Sequence, residues 1–511
     1  MPDVYDAYRP LRNYLKKLDL VNSLGAIKWY INYFQLKDKP QQPSDMEIHP
    51  SFWKDGFTML LPWQMAVLAR EVIINSPVYG SRDDMRQWKH LAGSVNKLKE
   101  IDEYIAQNYI NQGNIMHYFS KVMSHQQFVW QENRPNYQTM TRYYHIYQHP
   151  QIRPIFEKFF GLEVESFFIF SILTQGNYMK YLGLLYPPKI YLSKLKVTVE
   201  DYDKFMKHYS LPLDELRKRL VDASERKVDE HFFYYFDSLR RYPVILTEQD
   251  GKPSHVCPVP TYLYWRTTDG VYYELVNEKG FDQAIGESFK TYIGEVLNEQ
   301  SYSRQLEILD ADTHIKKSLP KPDWLFVDSS AVAFIECKAK RMTMGAKNEL
   351  NYSPVTGGQL EKMAESVLQC YKAVADAQVR SYSKLSAVSG FYPIIVTLES
   401  WFMFGDIAEK LDKIVLSKAE TEGVDIGLIT KYPHLVLSSR EFEDLVAVLR
   451  TKTLDEVLKP FFSDSKYDRW ALSTYLNQEF KKESGGYHLF KTSILDTAIE
   501  QATGKKLDRP S

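Results

Sequence analysis

Cysteine is scarce in this chain of 511 residues. Cys257, Cys337 and Cys370 are too few and too scattered for a disulfide framework or a structural zinc site. This usage fits a reducing compartment, and we expect a cytoplasmic protein. Long apolar runs are also missing, since FFIFSIL at 167–173 is far too short to span a bilayer. The first residues lack the apolar centre of a secretory signal, so no membrane partner is predicted.

Charge of one sign is not in excess either. Lys and Arg number 64 and Asp and Glu number 65, which gives a formal net charge of −1. No global field therefore draws the protein to nucleic acid, and any site for a polyanion must be a local patch. A phosphate-binding loop of the form G-x-x-x-x-G-K-[ST] is absent, which argues against an ATP-driven motor.

The first half of the chain has the apolar spacing of helices. PWQMAVLAREVII (62–74) and DELRKRLVDASE (214–225) are two examples, separated by polar and proline-containing turns. DGKPSHVCPVP (250–260) then collects three prolines and a glycine, which indicates a boundary or a long surface connection. We therefore predict a helical, aromatic-rich region over residues 1–260.

Strand and helix patterns alternate after this boundary, which predicts an α/β layer domain over residues 261–465. TYLYWRTTDGVYYELV (261–276) predicts a β-hairpin because it alternates around Asp-Gly. HLVLSSREFEDLVAVLR predicts a strand followed by a helix with a capping box from Ser438 to Glu441. Residues 466–511 are predicted to be a helical extension with a disordered tail.

The stretch KPDWLFVDSSAVAFIECKAKR (321–341) places charged residues in and beside two runs that are typical of buried strands. A hairpin that turns at Ser329-Ser330 puts Asp323 directly opposite Glu336, and Lys338 falls on the same face two residues later. Apolar residues fill both faces, which predicts a central position in a sheet.

Two opposed carboxylates repel each other, and a divalent cation between them would relieve the repulsion. Hard oxygen ligands suit Mg²⁺ or Mn²⁺, and such an ion keeps several waters, one of which can act as a nucleophile. A lysine beside it can orient that water or neutralise the charge that develops on a phosphorus centre. The pattern thus predicts hydrolysis of a phosphodiester. The alternative is structural: Asp323 would cap a strand, and Glu336 with Lys338 would form a solvated edge pair.

Pro322-Asp323 followed by Glu336-Cys337-Lys338 resembles the motif of the PD-(D/E)XK nuclease superfamily, whose fold is restriction-endonuclease-like. The resemblance covers about residues 265–465 and implies a mixed-sheet α/β domain after the mostly helical N-terminal region. It also implies that Asp323 and Glu336 bind Mg²⁺ or Mn²⁺, that the Cys337 carbonyl completes the metal site, and that Lys338 is the catalytic lysine.

The chain departs from this family in the helix before the motif. Members often carry a glutamate in a pattern like G-x-x-F-E-x-Y-V-G, whereas GESFKTYIG, from Gly286 to Gly294, has Lys290 in that position. Glu287 lies one turn earlier and is our candidate for the third acidic metal ligand. Gln359, which opens the next long helix, could contact a phosphate or support Lys338, although a helix-terminal polar residue explains it as well.

Basic residues follow the motif, and beside paired carboxylates they suit contact with a phosphate backbone. Elsewhere such a run would more often be a solvated loop. The residues that we predict to contact nucleic acid are Lys290, Lys340, Arg341, Lys347 and Gln359.

The combined hypothesis is a metal-dependent nuclease, acting on DNA by family resemblance, with a prokaryotic role in defence against foreign DNA suggested by association alone. We expect the N-terminal region to sense the target or to bind a protein trigger, and a homo-oligomer is compatible with the sequence.

Two rival functions remain. A catalytically inactive module that binds nucleic acid or protein would explain Lys290. A ribonuclease of HEPN type would use the helical half, where the spacings Arg226–His231 and Arg142–His149 resemble its R-x4–6-H signature. Aromatic segments in that half, at 142–147 and 233–236, could stack bases but are more often core.

Overall fold

The computed structural model describes residues 3–498 and 500 apart from a set of gaps. These are 55–59, 79, 114–117, 119–121, 123–125, 127, 133, 182, 186–194, 196, 223–227, 250–251, 302–306, 311–320, 342–353, 381–389, 402–405, 468–469 and 485–494. Two compact units emerge. The first comprises Met1–Met140, Phe156–Leu275 and the described part of Thr492–Asp508, and the second comprises Thr141–Ile155 and Val276–Lys491.

The N-terminal half is mainly helical, as its apolar spacing predicts. The carboxylates of Asp3 and Asp19 accept hydrogen bonds from backbone amides of the first turns of two helices, the usual role of an N-cap residue. Pro62 begins another helix at a position where its missing N–H costs nothing. The helices are α1 (Val4–Leu15), α2 (Leu20–Gln35), α3 (Pro62–Asn75), α4 (Trp88–Asn111), α5 (Phe128–Glu132), α6 (Tyr137–Gln148), α7 (Arg153–Phe160), α8 (Val164–Lys180), α9 (Val199–Tyr209), α10 (Leu213–Leu220), α11 (Ser238–Arg241), α12 (Pro260–Thr267) and α13 (Gly270–Leu275).

A small mixed sheet also belongs to this half, and it changes the interpretation of residues 250–260. Its strands are β1 (Gly183–Leu185), β2 (Ser210–Pro212), β3 (Val244–Gln249) and β4 (Lys252–Val256), in the order β1-β4-β3-β2. β4 pairs with β3 in antiparallel register. Residues 252–256 of the proline-containing segment therefore form a paired strand, so this part of the segment is not a surface connection.

The predicted hairpin over 261–276 is also wrong, because α12 and α13 occupy that segment. Pro260 supplies a fixed φ at the first helical position, which favours a helix start. Tyr262, Leu263 and Tyr264 are consecutive and all buried, so the environment is apolar all round and the two-residue alternation has no exposed face to match.

A closed network of charges lies in the core of the first unit. The Arg70 guanidinium, 1% exposed, contacts Glu71 at 2.9 Å and Asp237 at 3.3 Å and donates to the Phe232 carbonyl at 3.0 Å. The Tyr8 hydroxyl donates to the second oxygen of Glu71 at 2.8 Å. Every charge in this group therefore has partners of opposite sign or hydrogen-bonding groups.

The second unit contains an open, five-stranded mixed sheet with helices packed on it, so the α/β class predicted for the C-terminal half is confirmed. The strands are β5 (Glu307–Asp310), β6 (Trp324–Val327), β7 (Ala331–Lys338), β8 (Gly390–Thr397) and β9 (Leu435–Ser438), in sequential order. β5, β6 and β7 pair antiparallel, whereas β7, β8 and β9 pair parallel. The helices are α14 (Phe281–Ser301), α15 (Pro354–Arg380), α16 (Asp406–Glu422), α17 (Ile426–Lys431), α18 (Ser439–Leu449), α19 (Leu454–Ser463), α20 (Leu472–Glu479) and α21 (Lys481–Ser484).

One face of this sheet forms an apolar core with α15 and α16. Alternate residues of β6 and β7 point to that side, as a two-residue period requires. The predicted capping box at the start of α18 is confirmed, because Ser438 and Glu441 exchange side-chain and backbone hydrogen bonds. The core residues include Leu325, Val327, Val332, Phe334, Met363, Val367, Tyr371, Leu411 and Val415.

The second unit also includes residues 141–155, which come from the predicted N-terminal region. Arg142 on α6, 5% exposed, pairs with buried Glu443 on α18, its Nη2 lying 2.8 Å from Oε2. The Tyr292 hydroxyl on α14 donates to the other oxygen of Glu443 at 2.8 Å. The compact units therefore do not coincide with the limits 1–260 and 261–465, and a fragment that begins at residue 261 would leave Glu443 buried without Arg142.

Within the described residues, no helix is both long and apolar enough to cross a bilayer.

Candidate active site

The β6–β7 hairpin has the register that its sequence predicts. Leu325 pairs with Phe334 and Val327 with Val332, and the ladder ends one residue after Asp323. Continuing the same register places Asp323 opposite Glu336. The hairpin prediction is confirmed.

A residue that the sequence analysis did not single out stabilises this register. Buried Asp328, at the end of β6, accepts hydrogen bonds on Oδ1 from the amides of Ser330 and Ala331, at 2.7 and 2.9 Å. Its Oδ2 accepts from the amide of Leu454 at the start of α19, at 2.7 Å. An Asp two residues before a Ser is a recognisable turn signal, but its bond to α19 depends on the tertiary structure.

Four charged side chains meet at the open end of the hairpin. The Cys337 amide donates to Asp323 Oδ2 at 2.8 Å, and Lys338 Nζ donates to Glu336 Oε1 at 2.6 Å. Lys290 Nζ, from α14, lies 3.7 Å from Asp323 Oδ1. Two carboxylates are therefore balanced by two ammonium groups.

Glu336 is buried, and its charge is only partly compensated by neighbouring groups. It is 4% exposed, and its Oε2 has no hydrogen-bond partner within the part of the chain that the structure describes. Burial, and then the charge of Asp323, raise its pKa to about 7, while Lys338 and Lys290 act in the opposite direction. A buried, unsatisfied carboxylate oxygen is costly unless another group binds it.

Lys338 is held in its charged form. Burial alone would lower the pKa of this ammonium, but the charge of Glu336 and their hydrogen bond outweigh burial and raise the pKa above its usual value. Glu336 therefore stabilises the charged form of Lys338.

Packing between α14 and β6 explains why Lys290 reaches Asp323. Gly294 lies against the Trp324 ring, where any Cβ would overlap the indole. The Trp324 indole N–H donates to the backbone carbonyl of Lys290 at 3.0 Å, one helical turn before Gly294. Since Trp324 follows Asp323 directly, this contact places the Lys290 side chain beside the carboxylate.

Glu287, the predicted third metal ligand, is exposed on α14, and no described contact joins it to Asp323 or Glu336. Among the described residues, no group of three or more His, Cys, Asp or Glu side chains is arranged to hold a metal ion. Lys290 is thus the α14 side chain that meets the carboxylates, and the expected role of Glu287 finds no support.

The predicted phosphate-contacting residues divide into different environments. Lys340 is exposed two residues after Lys338, where it is free to face solvent. Arg341 is buried, and its Nη2 lies 2.8 Å from Glu399, so its guanidinium is in a buried ion pair and does not suit contact with a phosphate backbone. Gln359 is half-buried on α15, and Lys347 lies outside the described residues.

α15 contacts the backbone next to Asp323 and Glu336. Gln369 Nε2 donates to the Lys321 carbonyl at 2.9 Å, just before Asp323, and Cys370 Sγ contacts the Phe334 carbonyl at 3.7 Å. Burial, followed by the charge of Glu336, raises the pKa of Cys370 well above its usual value. Sequence reasoning missed both residues, and their place on the apolar stripe of a long helix is the one signal that could have indicated them.

The donor set suits a hard cation in part. Asp323 and Glu336 supply carboxylate oxygens, and Glu336 Oε2 is the buried oxygen in need of a partner. Mg²⁺ or Mn²⁺ binds through one or two carboxylates plus water, so two carboxylates are enough for one ion. The Cys337 carbonyl as a further ligand stays a prediction.

Of the two Arg–His spacings that resemble the HEPN signature, the structure describes both residues only for Arg142 and His149. Arg142 is buried against Glu443 in the core of the second unit, whereas His149 is half-buried, with its Nε2 3.4 Å from the Thr291 hydroxyl. Arg226 lies outside the described residues. Tyr143 and Tyr147 are buried and serve as core.

Comparison of this chain with protein-family models, with curated proteins and with solved structures gives no match.

Proposed function

We propose that the second unit is a metal-dependent nuclease domain that hydrolyses phosphodiester bonds, with DNA as its substrate. One observation carries the proposal: opposed Asp323 and Glu336 meet Lys338 at the open end of the β6–β7 hairpin, with a buried oxygen of Glu336 left unpartnered. The mixed sheet flanked by α14 and α15 supports a restriction-endonuclease-like fold for this domain.

Each residue has a role that follows from its environment. Asp323 and Glu336 would hold one Mg²⁺ or Mn²⁺, which supplies a bound water of lowered pKa as the nucleophile. Asp323 is oriented by the Cys337 amide, which donates to Oδ2, and its Oδ1 lies 3.7 Å from Lys290 Nζ. Lys338, charged and 2.6 Å from Glu336, is positioned to neutralise negative charge that develops on the phosphate.

Substrate binding would be local and weak. With a net charge of −1, nonspecific affinity for DNA depends on a few cations near the site, because it scales with the phosphates neutralised. Exposed Lys340 is the best placed of the predicted contacts. A trigger bound by the N-terminal region, and a role in prokaryotic defence, are proposals that rest on the family resemblance.

A second candidate function has one specific observation in its favour. Lys290 contacts Asp323 at 3.7 Å, where a nuclease of this type often has an acidic residue. A non-catalytic module that binds nucleic acid or protein could keep the fold while a lysine neutralises the former metal site.

Incubation of the purified full-length protein with plasmid DNA and with RNA, in Mg²⁺, Mn²⁺ or EDTA, tests the proposal. We expect cleavage of DNA that EDTA abolishes and that Asp323→Asn, Glu336→Gln and Lys338→Met each remove. Cleavage of RNA but not of DNA would favour the ribonuclease alternative, and Lys413→Met, at an exposed position on α16, is the matched control for the lysine variant. DNA binding without cleavage under all metal conditions would favour the non-catalytic module.

A further inference from the structure

Lys290 is the charged group at this site that the proposed chemistry does not use. Its Nζ lies 3.7 Å from Asp323 Oδ1, and both side chains are largely buried, at 18% and 24% exposure. An ion pair that is shielded in this way is screened less by salt than a pair on the surface. The positive charge of Lys290 therefore attracts the Asp323 carboxylate at ordinary ionic strength.

The position of Lys290 is built into the packing of α14. The Trp324 indole holds the Lys290 carbonyl at 3.0 Å, and Gly294 leaves the space that the indole occupies. The helix cannot turn Lys290 away without breaking this contact. Lys290 therefore lies beside Asp323 because the packing of α14 fixes the backbone at this position.

The charges at the site constrain what can bind there. When both carboxylates are ionised, Asp323 and Glu336 contribute two negative charges, and Lys290 and Lys338 contribute two positive ones. Two divalent ions would bring four further positive charges to a site that is already balanced, and like charges at short range repel. One ion, bound through the unpartnered Oε2 of Glu336 with Asp323 beside it, is the most that this arrangement favours.

We infer that Lys290 takes the place of both the third acidic ligand and a second metal ion, so that the site binds a single divalent cation with affinity limited by this lysine. The inference rests on the proposed metal-dependent function. It assigns Lys290 a positioning role, because the lysine acts on the metal through Asp323.

Direct titration of the full-length protein with Mn²⁺, followed by electron paramagnetic resonance of the free ion, measures both stoichiometry and affinity without any cleavage assay. We expect one Mn²⁺ per chain for the wild type. Lys290→Met should lower the dissociation constant about tenfold or more, because the competing charge beside Asp323 is gone. Lys290→Glu should bind more tightly still and accept a second ion.

Two controls separate the charge of Lys290 from its packing. Lys290→Arg keeps the charge and should keep wild-type affinity. Lys413→Glu makes the same change of net charge at an exposed position on α16 and should leave Mn²⁺ binding unchanged. Thermal unfolding of each variant without metal confirms that the fold is retained.

Unchanged affinity and stoichiometry in both Lys290→Met and Lys290→Glu would overturn the inference while leaving the nuclease proposal intact. Two ions bound by the wild type would overturn it as well. Binding by Lys290→Glu but not by the wild type would overturn the single-ion site inferred for the natural protein, and it would contradict metal-dependent catalysis as well. Absence of Mn²⁺ binding in every variant would overturn both proposals.

Discussion

Two buried groups of charges, one in each unit, differ in how completely they are satisfied. Around Arg70, the guanidinium has two carboxylates and a carbonyl, and the carboxylate of Glu71 accepts from both Arg70 and Tyr8. Around Glu336, one oxygen has Lys338 and the other has no partner among the described residues. The first group is closed, and the second is open on one side.

A buried charge network with all its partners present needs no ligand, whereas a network with an unpartnered oxygen has a position that a ligand can fill. A closed network gains enough from its own contacts to offset desolvation, so it needs nothing from outside. An open one keeps a carboxylate at a raised pKa, and a ligand that satisfies the free oxygen would bind with that penalty relieved. Arg142, Glu443 and Tyr292 form a second closed group, within the same unit as the open one. Burial of charge alone therefore does not identify a site.

The largest expected effect is on catalysis. Lys338→Met removes the cation nearest to Glu336 but keeps the length of the side chain, and we expect DNA cleavage to fall at least about 100-fold, the typical cost of removing one stabilising group. Single-turnover cleavage of plasmid DNA measures it. Wild-type cleavage by this variant would exclude the assigned role, and Lys413→Met controls for the loss of one surface charge.

Stability should respond most strongly in the closed network. Arg70→Met leaves Glu71 and Asp237 buried without their cation, which costs about 3–5 kcal/mol in comparable buried pairs. Urea unfolding of the full-length protein measures the loss. If Arg70→Met is as stable as the wild type, the closed network is not what stabilises the first unit.

Glu336→Gln should change the pH dependence of stability, in contrast to the large loss of stability expected for Arg70→Met. The folded-state pKa of Glu336 is raised to about 7 from its ordinary 4.5, so between these values the folded protein keeps a proton that the unfolded chain releases. Raising the pH from 5 to 8 without metal should therefore destabilise the wild type by about 2–3 kcal/mol through this group.

Glu336→Gln cannot titrate and should lack this part of the pH dependence. Thermal unfolding of both proteins over the same pH series isolates it as a difference. Parallel stability curves for the two proteins would mean that Glu336 is not held at a raised pKa, and the site would then be as satisfied as the network around Arg70.

The smallest effects should separate two neighbouring basic residues. Lys340→Ala should weaken DNA binding severalfold and lower the salt dependence by about one phosphate contact, with no loss of stability. Arg341→Ala should destabilise the fold, since it leaves Glu399 without its buried partner. Fluorescence anisotropy over a salt series and urea unfolding distinguish the two. Equal effects on DNA binding would restore Arg341 as a phosphate contact.

Several predictions from the sequence failed where a local pattern met a non-local environment. The alternation in 261–276 predicts a hairpin, but the consecutive residues Tyr262, Leu263 and Tyr264 are all buried in α12. Residues 141–155 were assigned to the N-terminal region, yet Arg142 pairs with Glu443, about 300 positions away. Nothing in a single sequence links two residues so far apart.

Local patterns are enough to predict the β6–β7 hairpin and the approach of Asp323, Glu336 and Lys338 to one another. These residues lie on two strands joined by a short turn, so a two-residue period and the turn are enough to bring them together. The side chain of α14 that joins them cannot be predicted locally, because it depends on how this helix packs on the sheet. Gly294 and Trp324 set how that helix packs on the sheet, and this packing places Lys290 beside Asp323 and leaves Glu287 in solvent. Helix placement depends on side-chain packing between elements that are distant in sequence, which no local pattern specifies.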